Sequence, residues 1–288
     1  MQQELVGIGH ELMARVLHRL GIAPDAPPAW DTLCAVYASW CRKVPFDNVQ
    51  KLIRVQGQQA GPLPGGVADE FFEAWLAHGA GGTCWSGAGA LHALLVAMGF
   101  EAERGMATML AAPHLPPNHG TVRVWMQGAW YLVDTAMLHG EPLLLSEEKD
   151  TSIDHPAWGL TCQPLEGRWM VRWRPTHLPD GFDCRLESFG ASGQEYLDRY
   201  DQTRDWSPFN YEAYARVQRG DEVIGFAFGN AVTLKNDGSV TVTPVDDAGR
   251  SRILRENFGM SEEIVNSLPP DRPTPPPPGS ATAMARGE

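Results

Sequence analysis

The chain has 288 residues, of which 43% are hydrophobic and 20% charged, a composition that indicates a globular protein with one large domain or two to three small ones. The formal net charge of −12 argues against nucleic acid as the main partner, and no apolar run approaches the roughly 18 residues of a membrane span. The first residues do not resemble a signal peptide, and the five cysteines form no CxxC pair. We therefore expect no metal, no disulfide framework, no membrane association and a cytoplasmic location.

The first hundred residues are predicted to be mostly helical. Apolar residues recur at helical spacing over residues 1–22, and a second helix is expected to start with Asp31 as its cap and to end before Pro45. A proline-led apolar and acidic turn follows, then a loop over residues 57–66. A short helix is expected from Asp69 to His78, and a further helical pattern runs from Cys84 to Gly99.

After Gly99 the sequence favours short strands. A predicted hairpin pairs residues 121–126 with 130–134 around a short connection. Further strand-like segments and one closing helix are expected later in the chain: residues 169–173, 185–189, 223–234 and 239–245 as strands, and 252–268 as the helix. From Pro269 onward the sequence is rich in proline and lacks core-forming residues, which predicts a disordered tail.

Cys84 is the first candidate functional residue. Gly81 and Gly82 suit a tight backbone bend before it, and the helical pattern that follows places its thiol at or next to a helix N-terminus. Unpaired N–H groups and the helix dipole favour a thiolate there. The alternative is a small buried structural thiol, because free cysteines are among the most buried residues.

His119 and Asp134 are expected to lie on one face of the predicted hairpin. With a two-residue loop at Gln127-Gly128, Thr121 opposes Asp134, and His119 becomes the diagonal neighbour of Asp134 with Cβ atoms about 5–8 Å apart. A loop moved by one residue keeps them on one face but further apart, whereas a three-residue loop would separate them. We expect the first register.

A thiol, an imidazole and a carboxylate form a recognised catalytic set. The imidazole takes the proton of Cys84, and the carboxylate orients and stabilises the imidazolium of His119. Each residue alone is more often structural, since a histidine at a strand end or an aspartate in a hairpin commonly makes only local hydrogen bonds. Cysteine, histidine and aspartate in one chain can also occur by chance.

Five motifs, in order along the chain, resemble those of the arylamine N-acetyltransferase family. The likeness extends from about residue 5 to about residue 268 and is carried by Val44-Pro45-Phe46-Asp47-Asn48-Val49, Gly81-Gly82-Thr83-Cys84-Trp85, His119 with Tyr131-Leu132-Val133-Asp134, Ser207-Pro208-Phe209-Asn210 and Leu254-Arg255-Glu256-Asn257-Phe258-Gly259.

The resemblance implies an α+β fold with a helical bundle over residues 1–100, a central antiparallel β-barrel over 101–200, an α/β lid over 201–268 and the tail at 269–288. It implies a Cys84-His119-Asp134 triad that moves an acyl group from acetyl-CoA, another acyl-CoA or an acyl carrier protein to a small amine by a ping-pong mechanism. Expected substrate-binding residues are Phe46, Trp85 and Phe209 around the acceptor, with Thr135 near the donor.

Several positions depart from the family pattern. Ala80 replaces the arginine of the cysteine motif, Asp47 its glutamate partner, and Ser86 the glutamate after the cysteine. The glycine-bearing loop after the triad aspartate is replaced by residues 135–138, whose side chains stand where backbone could approach a donor. These changes favour an altered donor or acceptor. An amide synthase of secondary metabolism, a transglutaminase-like hydrolase and a ligand-binding pseudo-enzyme remain open.

Overall fold

The computed structural model describes residues 7–111 and 115–286. Its helices lie mainly in the first hundred residues and again near the C-terminal end. They are α1 (His10–Leu20), α2 (Trp30–Lys43), α3 (Val49–Gln56), α4 (Ala68–His78), α5 (Cys84–Ala97), α6 (Gly193–Gln202), α7 (Asp247–Glu256), α8 (Glu262–Asn266) and α9 (Ala281–Arg286). None of these helices is long and apolar enough to cross a membrane.

The strands are antiparallel and occupy the middle and later parts of the chain. They are β1 (Phe46–Asp47), β2 (Glu101–Met109), β3 (His119–Met126), β4 (Ala129–Leu132), β5 (Leu143–Leu144), β6 (Thr151–Ile153), β7 (Leu160–Leu165), β8 (Arg168–Trp173), β9 (Phe182–Phe189), β10 (Tyr214–Arg219), β11 (Glu222–Ala227), β12 (Asn230–Leu234) and β13 (Val240–Pro244). A short 3-10 turn at Pro208–Asn210 precedes β10.

Eight strands form a nearly closed barrel in the order β5-β4-β3-β2-β9-β8-β7-β6. The two end strands contact each other, and the hydroxyl of Thr151 on β6 donates a hydrogen bond to the carbonyl of Leu144 on β5 (2.7 Å). Closure of this kind leaves little exposed strand edge. The barrel has its own core, which includes Leu132, Val171 and Leu186.

A second sheet has the order β1-β10-β11-β12-β13. Its first strand comes from the helical part of the chain, because Phe46 pairs with Arg216 and Asp47 with Ala215. Helices α7 and α8 contribute Leu254, Ile264 and Val265 to the core that this sheet shares with α3. The α+β class with a helical N-terminal part, a barrel and an α/β lid, predicted from the sequence resemblance, is confirmed.

Helix α5 is the central element of the fold. Nearly all of its residues are buried, as expected for a helix that is apolar on every side. It packs against α4 on one side and against β2 and β3 of the barrel on the other. This position brings the first residue of α5 to the junction between the helices and the barrel.

Three helix predictions require correction or qualification. Residues 1–6 of the first predicted helix lie outside the described part of the chain. Helix α2 begins at Trp30, and Asp31 lies in its first turn without capping it, where its charge suits the positive end of the dipole. The closing helix is two helices, because Gly259 takes a left-handed φ of +69° and Ser261 caps α8.

The proline-rich segment lies against the protein, in contrast to the disordered tail expected from its composition. The N–H of Arg272 donates to the carbonyl of Tyr211 (3.0 Å), and the indole N–H of Trp206 donates to the carbonyl of Pro275 (3.3 Å). The proline-rich composition indicates a lack of core-forming residues. Hydrogen bonds of the backbone and of polar side chains nevertheless attach this segment to the rest of the protein.

Candidate active site

The glycines before Cys84 permit a close approach to β1. Gly81 donates its N–H to Oδ2 of Asp47 (2.6 Å), and a Cβ atom at position 81 would lie 2.0 Å from the carbonyl oxygen of Pro45. Neither Gly81 nor Gly82 has a positive φ. No turn or bend is assigned at residues 81–83, so the expected reason for these glycines, a tight bend, is wrong. Close backbone contact next to β1 requires Gly81, whereas a Cβ atom on Gly82 would lie 2.2 Å from the hydroxyl oxygen of Ser86.

Asp47 holds this loop without an ion pair in the described residues. Its Oδ1 accepts the N–H of Val49 (3.0 Å), in addition to the bond from Gly81, and burial raises the pKa of the carboxyl to about 7. Ala80, which stands in place of the arginine of the family motif, is completely buried. Backbone hydrogen bonds take the place of the Arg–Glu pair that the resemblance would imply.

Cys84 is the first residue of α5 and is 5% exposed. The first intrahelical bond of this turn runs from the N–H of Gly87 to the carbonyl of Thr83 (2.9 Å), and Thr83 does not cap the helix with its side chain. The N–H groups of Cys84, Trp85 and Ser86 therefore precede the hydrogen-bonded part of the helix. Such groups are suited to bind negative charge beside the thiol.

The hairpin has the register predicted from the sequence. Met126 pairs with Ala129 and Arg123 with Leu132, so the loop is Gln127-Gly128, and both loop residues have positive φ values of 54° and 81°. His119 and Asp134 consequently meet: Nε2–H of His119 donates to Oδ2 of Asp134 at 2.7 Å.

Asp134 is fixed by the turn that follows it. Its Oδ1 accepts the N–H groups of Ala136 (2.9 Å) and Met137 (2.8 Å), and Tyr37 donates its hydroxyl to the Asp134 carbonyl (2.7 Å). Residues 135–138 are all buried. The segment that replaces the glycine-bearing loop of the family thus orients the carboxylate.

His119 interacts with both Asp134 and Cys84. Burial alone would lower the pKa of His119, but the charge of Asp134, the charge of the Cys84 thiolate and hydrogen bonds to both raise it above its usual range. Burial alone would raise the pKa of Asp134, but the charge of His119 and hydrogen bonds hold it well below its usual range. Both shifts favour an imidazolium on His119 paired with a carboxylate on Asp134.

The other four cysteines lack such a setting. Burial raises the pKa of Cys34 and Cys184, and it raises the pKa of Cys41 and Cys162 to about 12. A raised thiol pKa reduces the thiolate fraction and therefore the reactivity. Among the residues the structure describes, Cys84 is the one cysteine that forms a hydrogen bond with a histidine, and this bond raises the pKa of His119.

A cavity of about 120 Å³ opens beside Cys84. Its lining is mostly apolar and comes from α3, α5, the end of β2, the approach to β3 and the segment after α6. The lining residues are Lys51, Thr83, Cys84, Trp85, Met109, Ala111, Leu115, Asn118, Thr203, Trp206, Ser207, Pro208 and Phe209.

Two of the four expected substrate-binding residues line this cavity, namely Trp85 and Phe209. Phe46 lies behind Phe209, with ring centroids 5.2 Å apart. Thr135 faces α5, where a Cβ atom on Gly87 would lie 2.9 Å from its hydroxyl oxygen. Phe46 and Thr135 therefore pack behind the site and do not contribute to the cavity wall.

Lys51, Trp206 and Thr203 are cavity residues that the sequence did not indicate. Lys51 follows the Pro-Phe-Asp-Asn motif by three positions, and the sequence gives no signal that an isolated lysine in a helix is buried. Trp206 directly precedes the Ser-Pro-Phe-Asn motif, and this adjacency is the one signal that could have identified it. No group of three or more potential metal ligands occurs among the described residues.

The site combines a buried thiol at a helix N-terminus, a histidine in contact with it and a carboxylate bonded to that histidine. This arrangement is typical of enzymes that transfer groups through a cysteine. A sequence model described as N-acetyltransferase matches residues 30–265. The chain belongs to this family of acyltransferases, as the ordered motifs predicted.

Solved structures of arylamine N-acetyltransferases share the fold. The Mycobacterium abscessus enzyme has a TM-score of 0.74 at 15% identity and covers 91% of this chain and 93% of its own. The Salmonella typhimurium enzyme has a TM-score of 0.73 at 15% identity, and the match covers 89% of this chain and 97% of that enzyme. The Mycobacterium marinum enzyme in complex with CoA has a TM-score of 0.73 at 17% identity, and the match covers 90% of this chain and 95% of that enzyme. A comparison with curated protein sequences gives no match.

Proposed function

We propose that the protein is a cysteine-dependent N-acyltransferase that moves an acyl group from a thioester to an amine by a ping-pong mechanism. The observation that carries this proposal is the buried Asp134–His119 bond of 2.7 Å with Cys84 as the next partner of His119, at the wall of an apolar cavity. Membership of the N-acetyltransferase family supports the acyl-transfer chemistry.

The first half-reaction acylates Cys84. The thiolate sulfur attacks the thioester carbonyl, the carbon–sulfur bond of the donor breaks, and His119 gives its proton to the departing thiolate. The free N–H groups at the start of α5 stabilise the oxyanion of the tetrahedral intermediate. Asp134 keeps Nδ1 of His119 directed at the thiol, because Nε2 is held by the carboxylate.

The second half-reaction releases the amide. The amine nitrogen attacks the acyl-enzyme carbonyl, His119 accepts the proton of the amine, and the Cys84 thiolate leaves to restore the starting state. Trp85 and Phe209 offer apolar surface for an aromatic or aliphatic amine in the cavity. Water in place of the amine would make the same steps a hydrolysis.

The donor is an acyl-CoA or an acyl carrier protein. The structure of the M. marinum enzyme in complex with CoA supports the first of these. The buried turn at residues 135–138 uses two of its N–H groups to hold Asp134, so those groups are not free to bind phosphates of a donor.

Intact-mass spectrometry tests the acyl-enzyme. The protein is mixed with acetyl-CoA, longer acyl-CoAs and an acyl-loaded carrier protein, and we expect a covalent acyl adduct that maps to Cys84. Cys84→Ala is expected to abolish the adduct, whereas Cys34→Ser, at a half-buried cysteine, is expected to keep it. No adduct with any donor, together with no alkylation of Cys84 by iodoacetamide, would contradict the proposal and favour a binding protein.

A further inference from the structure

Lys51 places a buried amino group in the wall of the active-site cavity. It lies on α3, its side chain is only 3% exposed, and it lines the same cavity as Cys84 and Phe209. Lysine is almost never fully buried unless it is paired, because taking an ammonium group out of water is costly.

The hydrogen-bond partners of Lys51 are uncharged oxygens. Its Nζ donates to Oγ1 of Thr203 (2.8 Å) and lies 3.4 Å from the carbonyl oxygen of the same residue. The hydroxyl of Thr203 in turn donates to the carbonyl of Tyr200 (2.7 Å). Thr203 thus offers two neutral oxygens to a group with three N–H bonds, and no carboxylate within the described ranges forms an ion pair with it.

The charged groups around Lys51 have opposing effects. Burial lowers the pKa of Lys51 to about 7; the Cys84 thiolate opposes this shift and the Arg204 guanidinium adds to it. Arg204 itself is paired with Asp201. Near neutral pH the ammonium form is therefore accessible, and an anion that enters the cavity would favour it.

We propose that the cavity selects a substrate bearing a carboxylate, which pairs with Nζ of Lys51 while the reacting carbonyl lies at Cys84. This proposal rests on the proposed function, since it names the substrate class of the same site. The carboxylate can be carried by the acyl chain, as in the half-thioester of a dicarboxylic acid, or by the amine, as in an amino acid or an aminobenzoate. Either source gives the ammonium a carboxylate partner, which the described residues do not supply.

A role in thiolate stabilisation is the main competing explanation. His119 already provides a cation in hydrogen-bond contact with Cys84, whereas Lys51 is held by Thr203 at the cavity wall. A lysine that served only the thiolate would act on charged and uncharged substrates equally. A lysine that recognises a carboxylate acts on one class only, and this difference can be measured.

The experiment compares matched substrate pairs in two arms. In the donor arm, malonyl-, succinyl- and glutaryl-CoA are each compared with an uncharged acyl-CoA of the same chain length. In the acceptor arm, 3- and 4-aminobenzoate are compared with the corresponding aminobenzamides. Values of kcat and KM are measured for the wild type, Lys51→Met, Lys51→Arg and the control Lys149→Met, whose lysine is exposed in a loop.

We expect the wild type to prefer the charged member in one arm, and that arm identifies the source of the carboxylate. Lys51→Met should lose this preference by about 10–100-fold, mainly through KM, as expected for a hydrogen bond between charged groups. Lys51→Arg should retain part of the preference and Lys149→Met all of it. Equal effects on charged and uncharged substrates, or no preference in either arm, would overturn the proposal.

Equilibrium binding separates this proposal from the proposed function. Calorimetry with 4-aminobenzoate, 4-aminobenzamide and succinate, using Cys84→Ala protein with and without Lys51→Met, detects the carboxylate site without turnover. Binding of the carboxylates that depends on Lys51 supports the carboxylate site. If in addition no donor acylates Cys84, only the proposed function fails. If Cys84→Ala protein that retains Lys51 binds neither 4-aminobenzoate nor succinate, the result contradicts the carboxylate site.

Discussion

At the scale of single residues, the two carboxylate oxygens of Asp134 bind different partners. Its Oδ2 binds Nε2 of His119, and its Oδ1 is occupied by the N–H groups of Ala136 and Met137. The two oxygens therefore have separate tasks. One holds the turn, and the other raises the pKa of His119 through its charge.

The variant Asp134→Asn separates these tasks. The amide oxygen can still accept both backbone N–H groups, but the lost charge should lower the pKa of His119, so the imidazolium is lost at lower pH. We expect the alkaline limb of the rate of Cys84 acylation to move to lower pH and the rate to fall by about 10³–10⁴-fold. Single-turnover acylation measured against pH checks this, with a thermal melt to confirm folding. An unshifted alkaline limb would show that Asp134 does not set the charge of His119.

Burial of Lys51, which its proposed binding role requires, should lower the free energy of unfolding. Its pKa is lowered to about 7 in the folded protein, below the value near 10.4 of a free lysine. The cost to folding is therefore absent above about pH 10.4, grows as the pH falls and is complete below the folded pKa. Lys51→Met should raise the free energy of unfolding at pH 6 by about 1–3 kcal/mol, with no such gain at pH 10.5. Urea denaturation at both pH values measures this, and a variant less stable than wild type at pH 6 would contradict it.

At the scale of elements, the sequence predicted two features of the site correctly. The start of α5 at Cys84 followed from the glycines and the apolar periodicity after them, and the hairpin register followed from a two-residue loop. Both depend on residues close together in the chain. The function of Gly81 could not be predicted in this way, because it depends on Pro45 and Asp47, which precede it by more than thirty residues.

A matched pair of glycine substitutions tests the contact between the Cys84 loop and β1. Gly81→Ala places a Cβ 2.0 Å from a backbone oxygen, so the loop must move; we expect a loss of about 2–4 kcal/mol of stability and slower acylation of Cys84. Gly89→Ala within α5 meets only Cε1 of Tyr196 at 3.7 Å, and should stabilise the protein by about 0.5–1 kcal/mol. Denaturation and acylation rates measure both effects. Equal tolerance of the two variants would refute the proposed role of Gly81.

At the scale of the whole molecule, ordered motifs predicted the fold class, whereas the cavity required the structure. Its wall combines α3, α5, the start of the barrel and the segment after α6, and no local pattern shows that Lys51 and Trp206 line the same cavity. The proline-rich segment is a similar case. Its composition predicted disorder, but Asp271 accepts the N–H of Ala213 (2.8 Å) and lies 2.9 Å from the buried Arg250.

Asp271 should therefore attach the C-terminal segment to the lid. Asp271→Ala removes the acceptor of a backbone N–H and the partner of a buried guanidinium, so we expect the free energy of unfolding to fall by about 1–3 kcal/mol. Asp247 is the matched control, since it lies 3.8 Å from the same Arg250 with its side chain 83% exposed. Asp247→Ala should change stability by less than about 0.5 kcal/mol. Chemical denaturation compares the two, and similar values for both would contradict this attachment.

The most direct test of the central claim follows the acyl group from Cys84 to an amine. Acyl-enzyme is formed with a labelled acyl-CoA, freed of donor by rapid gel filtration, and then divided between buffer and buffer with an arylamine. We predict that the label leaves Cys84 as amide, at a rate that rises with amine concentration and exceeds its slow release as acid. Release as acid at the same rate with and without amine would contradict N-acyl transfer and indicate a hydrolase.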